Sequence, residues 1–221
     1  MALRALIFDM DGVLFDTERV AADTWLEAGA AFGFTLSDGF IKGTVGMDQG
    51  MTRAYYHEAF AGRFPYDQVE ARRTELFRSR IQARGVPMKP GVVRILEEAR
   101  RLGLCVALGT SSRAVYAYAM LWLAGIDGHF HALVTRDLVQ AAKPAPDIFQ
   151  KAAAMLGIDP GDCLVFEDSS HGIHAAEAAG MPVIMVPDLI EPTAELRAKC
   201  VGVYATLAEA ARRLEGMLAA S

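Results

Sequence analysis

Cysteine is scarce, positive charge is not in excess, and no long apolar run is present. Cys105, Cys163 and Cys200 are the only cysteines among 221 residues. They lie far apart, and no pair has metal-ligand spacing. Their odd number suits a reducing compartment better than a disulfide framework. Cys105 and Cys163 fall in apolar runs and read as buried, inert thiols. The formal net charge is −5, without the basic stripe that nucleic-acid binding calls for, so no nucleic-acid partner is expected. No uninterrupted apolar segment is long enough to span a bilayer, so no membrane partner is expected either. The opening apolar stretch is too short for a secretory leader and runs straight into Asp9, so a cytoplasmic protein is expected. A monomer is the default expectation. There is no internal repeat and no low-complexity segment.

What remains is a chain built to bury a core. Hydrophobic residues make up 52% and charged residues 22%, which argues against disorder. The length suits one large domain, or a core carrying a smaller insert. Apolar runs without alternation occur at 5–8, 105–108, 133–134, 164–166 and 183–186, as parallel strands covered on both faces require. Helical periodicity lies between them, at 92–102, 148–156, 171–179 and 207–218, and Gly103, Gly157 and Gly180 stop the first three. Alternation of this kind predicts an α/β fold with a doubly wound parallel sheet. Residues 16–85 break the pattern. They offer no strand and read as helices at 17–32, around 50–61 and at 67–84. The expectation is therefore an α/β core of residues 1–15 and 86–221, with a small all-helical domain of residues 16–85 inserted after the first strand.

Reactive side chains gather at the predicted strand ends. Asp9 and Asp11 follow the first strand, and Gly12 permits a tight turn behind them. By itself an Asp-x-Asp-Gly run is also an ordinary turn sequence. Glu167 and Asp168 follow the fourth strand in the same way. Thr110, Ser111 and Ser112 follow the second strand and precede a helix. Lys143 and Pro144 precede the helix that begins near Pro146. Open α/β sheets bind ligands beyond the carboxyl ends of their strands. Four carboxylates in one crevice cannot all stay ionised without a counter-charge. An all-oxygen donor set suits Mg²⁺, and a metal there can meet a phosphate oxygen. Lys143 adds a positive charge, and Thr110 with the Ser111 and Ser112 backbone N–H groups offers donors to the same oxygens.

Together these segments resemble the haloacid dehalogenase superfamily. FDMDGVLFDTE (8–18) resembles its first motif, ALGTSS (107–112) its second, KPAPDIF (143–149) its third and VFEDSSHGIHAAEAAG (165–180) its fourth. The helical insert resembles the cap of the β-phosphoglucomutase-like phosphatases. The resemblance implies a Rossmann-like core, with Asp9 as nucleophile and Asp11 as general acid and then base. It implies Thr110 and Lys143 as ligands of the transferring phosphoryl group. Asp9, Asp168 and the Asp11 carbonyl would hold Mg²⁺, with Glu167 joining directly or through water. The expected activity is a phosphatase for small phosphorylated metabolites, sugar or polyol phosphates, acting through an aspartyl phosphate. The alternatives are a phosphomutase using the same intermediate and an idle binding protein on the same fold.

The cap should set specificity. Gly46, Met47 and Arg72 (or Arg73) are the candidates for substrate contact. Ala21 stands where β-phosphoglucomutases carry a histidine, four residues after the threonine matching Thr17, which lowers the mutase reading. Trp25 and Trp122 read as packing residues rather than sugar platforms. His171 and His174, three apart, lack a third zinc ligand at matching spacing, and His57, His129 and His131 read as surface residues.

Overall fold

The structure, a computed structural model, describes residues 3–44, 49–189 and 191–219. The elements run β1 (Ala5–Phe8), α1 (Thr17–Ala31), α2 (Asp38–Lys42), α3 (Gln49–Ala59), α4 (Tyr66–Arg84), α5 (Val92–Arg101), β2 (Cys105–Gly109), α6 (Ala114–Ala124), β3 (Ala132–Val134), α7 (Asp147–Leu156), β4 (Cys163–Glu167), α8 (Ser170–Ala178), β5 (Val183–Met185), α9 (Ala194–Lys199), β6 (Gly202–Val203), α10 (Leu207–Ala211) and α11 (Leu214–Ala219). They divide into two compact units, residues 1–16 with 88–221, and residues 17–87. Among the described residues no helix is long and apolar enough to cross a membrane.

The first unit is an α/β fold on a six-stranded sheet of order β3-β2-β1-β4-β5-β6. Every pairing is parallel, which requires a crossover between each pair of neighbouring strands. All four residues of β1 are buried, and Phe8 stacks on Phe166 of β4 with ring centroids 4.7 Å apart. The absence of alternation follows from helices covering both faces. One face packs Ile7, Ala107 and Val165 against Ile148, Phe149 and Ala152 of α7 and Ile173 and Ala176 of α8. After β1 the chain builds outward to β2 and β3 on one side, then returns to lay β4, β5 and β6 on the other. The order therefore reverses at β1, where such sheets open a crevice.

The second unit is helical. Its core joins Ala28, Leu36, Ile41, Tyr56, Phe64, Tyr66 and Val69. Trp25 stacks at a tilt on Tyr56 and Tyr66, and the Arg73 guanidinium lies 5.4 Å from the Trp25 ring centroid. Arg80 ties α4 to α1 through Glu27 at 2.6 Å.

Three local expectations need correction. The periodic stretch 207–218 is two short helices, α10 and α11, with Arg212 and Arg213 between them. A sixth strand of two residues, β6, lies at the sheet edge. Trp122 does not pack inside, being 70% exposed on α6.

Candidate active site

Sheet hydrogen bonds carry past the strand ends and fix the first reactive residues. Asp9 N–H donates to the Phe166 carbonyl at 3.0 Å, and Thr110 N–H donates to the Val134 carbonyl at 3.0 Å. The side chains of Asp9, Thr110 and Glu167 thereby leave adjacent strands at one edge, and all three residues are buried. Behind Asp9 the chain turns sharply, with Gly12 N–H bonding the Phe15 carbonyl at 2.8 Å. Gly12 has φ +86°, and a Cβ there would lie 2.2 Å from Asp168 Oδ2. Only glycine gives both the turn and the room.

Lys143 comes from the loop between β3 and α7. That loop is held by Arg136, whose guanidinium donates to the Val139 carbonyl at 2.8 Å. Asp147 holds it too, accepting from Ala141 N–H at 3.0 Å. The Lys143 ammonium donates to Asp9 Oδ1, to Glu167 Oε1 at 2.7 Å and to the Gly109 carbonyl at 2.9 Å. It also lies 4.7 Å from the centroid of the Phe149 ring, a cation–π contact.

Glu167 is the most enclosed member, with no exposure. Its Oε2 accepts from Asp168 N–H at 3.0 Å, Ser169 N–H at 3.1 Å and Ser169 Oγ at 3.0 Å. Ser169 also caps α8, accepting from Gly172 N–H at 3.1 Å. A Cβ on Gly172 would fall 1.8 Å from the Glu167 carboxyl carbon, so glycine is required there as well.

Asp9, Glu167 and Asp168 each bring a carboxylate oxygen within 4.8 Å of the others. One lysine faces three acids. Burial pushes the Asp9 carboxyl up to about 7; Lys143 opposes the rise, and Glu167 and Asp11 add to it. Burial likewise raises Asp168 to about 9, followed by the charges of Glu167 and Asp9. Burial lowers the Lys143 ammonium, but Asp9 and Glu167 overcome it and hold the group above its ordinary value. Asp9 and Asp168 can therefore both be fully ionised at neutral pH only beside additional positive charge. Their donor set fits a hard cation: oxygen only, clustered, with Gly12 leaving space for the Asp168 carboxylate.

Asp11 stands apart from this trio. Its carboxylate accepts from Ser112 Oγ at 2.8 Å and from Tyr116 Oη at 3.3 Å. Thr110 Oγ1 accepts from Ser112 N–H at 3.0 Å, so that backbone donor is engaged within the loop. Ser111 is exposed. The helix that follows starts at Ala114, whose N–H donates to Asp137 Oδ2 at 2.7 Å. Arg72 pairs with Glu75 Oε2 at 3.2 Å on the exposed surface of α4. Gly46 and Met47 lie outside the described residues.

Residues 3–180 match the family of haloacid dehalogenase-like hydrolases. The chain belongs to that family. Within it, the chain falls in the β-phosphoglucomutase/CbbY-like subfamily. It is 33% identical over 186 residues to the fructose-1-phosphate phosphatase YqaB of Escherichia coli, covering 82% of this chain and 95% of the relative. It is 30% identical over 193 residues to hexitol phosphatase B of the same organism, covering 83% of each. A haloacid dehalogenase family hydrolase from Deinococcus radiodurans, solved with bound phosphate and sodium, superposes with a TM-score of 0.80 at 26% identity, covering 99% of this chain and 98% of that one. This haloacid dehalogenase-like hydrolase is thus a phosphatase of the family, with an acidic trio able to bind a metal.

Two parts of the site escaped the sequence reading. Tyr116 reaches Asp11 from inside α6, which no spacing rule connects to residue 11. Lys89 Nζ bonds Asp188 Oδ1 at 2.7 Å, and the Asp188 side chain is fully buried. Asp188 follows β5 and adds to the rise at Asp168. The strand-end logic that selected Asp9 and Glu167 applies to it equally.

Proposed function

We propose that this hydrolase is a Mg²⁺-dependent phosphatase for small sugar or polyol phosphates, working through an aspartyl phosphate on Asp9. The observation that carries the reading is the Lys143 ammonium bridging Asp9 and Glu167, beside Asp168, at the carboxyl end of the central strand. A carboxylate at that point faces the crevice while a lysine neutralises an incoming phosphoryl group.

In the first step an Asp9 carboxylate oxygen attacks phosphorus and the bond from phosphorus to the ester oxygen breaks. Asp11 gives its proton to the departing alkoxide. In the second step Asp11 removes a proton from water as that water attacks phosphorus. The acyl phosphate bond breaks, Asp9 is regenerated and inorganic phosphate leaves. Lys143 balances the phosphoryl charge throughout. Thr110 Oγ1 accepts from Ser112 N–H, and its own proton remains to be donated to a phosphoryl oxygen. Asp9 and Asp168, together with the Asp11 carbonyl, would hold Mg²⁺, which would supply the positive charge that these carboxylates and the phosphoryl oxygens need. Glu167, whose two oxygens accept from Lys143, Asp168 N–H and Ser169, orients the lysine and the 168–169 turn.

Named sugar- and hexitol-phosphate phosphatases among the relatives support the substrate class. The test is phosphate release from a panel of sugar, polyol and other metabolite phosphates, with Mg²⁺ and with a chelator. Free phosphate from sugar or polyol esters, abolished by the chelator, is expected. Chelator-insensitive turnover, or an isomeric sugar phosphate without free phosphate, would overturn the reading.

A further inference from the structure

We infer that Tyr116, with Ser112, is a positioning residue for the proton-donating carboxyl of Asp11; this rests on the proposed role of Asp11. The two hydroxyls approach different oxygens of one carboxylate, Ser112 Oγ at 2.8 Å from Oδ2 and Tyr116 Oη at 3.3 Å from Oδ1. Two donors on two oxygens fix the rotation of the carboxyl plane as well as its position, which a single donor does not.

The donors stand on a rigid base. Ser112 lies in the loop just beyond β2, its carbonyl accepting from Arg136 N–H at 3.0 Å and its N–H bonded to Thr110 Oγ1. Tyr116 lies in the first turn of α6, and Asp137 caps that turn by accepting from Ala114 N–H. Asp11 is anchored from its own side by the bridge to Phe15. Asp9 and Asp11 are thus oriented separately. Lys143 holds the nucleophile, and α6 holds the acid. A carboxyl that must deliver a proton to one ester oxygen gains most from such fixing, because proton transfer depends steeply on donor alignment.

Positioning of Asp11 by Tyr116 shows itself as a leaving-group signature. p-Nitrophenolate departs without a proton, phenolate has the acidity of a tyrosine side chain, about 10, and an alkoxide needs the proton fully. Compare kcat/KM, which reports formation of the aspartyl phosphate, for p-nitrophenyl phosphate, phenyl phosphate and a simple alkyl phosphate. Tyr116→Phe is expected to lower the alkyl ester value about tenfold, the scale of one lost hydrogen bond. The p-nitrophenyl ester should lose less than about twofold, with phenyl phosphate between. In an Asp11→Asn background, Tyr116→Phe should change nothing further. Ser112→Ala should give the same ordering, and it serves as the test if circular dichroism shows that Tyr116→Phe does not fold.

Equal losses for all three esters, or the full Tyr116→Phe effect persisting with Asp11→Asn, would overturn the inference and leave the proton donor in place. An Asp11→Asn protein whose losses ignore the leaving group would instead remove Asp11 as the donor, and the inference with it.

Discussion

Gly12→Ala perturbs the proposed metal-binding geometry while leaving every reactive side chain chemically unchanged. The backbone there has φ +86°, and the new methyl would lie 2.2 Å from Asp168 Oδ2 and 2.7 Å from its carboxyl carbon. Holding a non-glycine residue in that region costs about 1–3 kcal/mol. Non-bonded contacts are comfortable only near 3.5 Å, so the Asp168 carboxylate must retreat by about 1 Å. For a domain of this size the strain lowers Tm by roughly 2–12 °C. The displaced ligand should raise the Mg²⁺ concentration for half-maximal activity by about 10–100-fold, the range seen when a ligand's support is lost. Gly103→Ala is the control. It has φ +70° with nothing within 4 Å of the added carbon, so it carries strain without a clash. The assay is p-nitrophenyl phosphate hydrolysis titrated with Mg²⁺, alongside thermal melts. Gly103→Ala should melt lower with an unchanged Mg²⁺ requirement. A Gly12→Ala enzyme with the wild-type Mg²⁺ requirement would refute the reasoning, because Asp168 would not then be a ligand constrained by this turn.

Two further outcomes follow from the charge balance. Asp9 and Asp168 are raised to about 7 and 9 in the metal-free fold, against ordinary values near 4. The folded state therefore binds more protons than the unfolded chain across that window, and metal-free stability falls as pH rises from about 4 toward 9. Metal binding needs both groups deprotonated and rewards their ionisation, so the Mg²⁺-induced rise in Tm should be larger at pH 8 than at pH 5; an equal or larger rise at pH 5 would contradict this. Lys143→Met leaves Asp9 and Glu167 facing each other without their shared cation. Without metal at pH 8 it should cost about 3 kcal/mol in urea unfolding and remove most activity. The stability loss should shrink at pH 5, where protonation of Asp9 relieves it, and a loss independent of pH would count against the charge balance.

The fold was legible where burial leaves a simple mark. Because β1, β2 and β4 are covered on both faces, their apolar runs needed no alternation to be read. Gly202 and Val203 form a two-residue edge strand, half-buried and without an apolar run, so nothing in composition marks β6. The break at Arg212–Arg213 was hidden because Leu207, Ala211 and Leu214 keep helical spacing across it. Trp122 misled for a related reason. Size and hydrophobicity favour burial, but every residue of α6 is uncharged, so the sequence does not show which face turns outward. In the site, Asp9, Thr110, Glu167 and Asp168 could be gathered because each ends or follows a strand and parallel strands end at one edge. Asp188, just past β5, could have been gathered by the same rule; Tyr116 and Lys89 could not. Each depends on the register of a helix or loop against a distant turn, a property of packing rather than of local sequence.

The proposed covalent step on Asp9 is open to a direct test. The enzyme is quenched in acid during turnover with Mg²⁺ and substrate, and its peptides are mapped by mass spectrometry. A phosphoryl group is expected on the peptide carrying Asp9, and absent from Asp9→Asn. Rapid turnover with no phosphoryl group on that peptide, or the same modification in Asp9→Asn, would contradict the account.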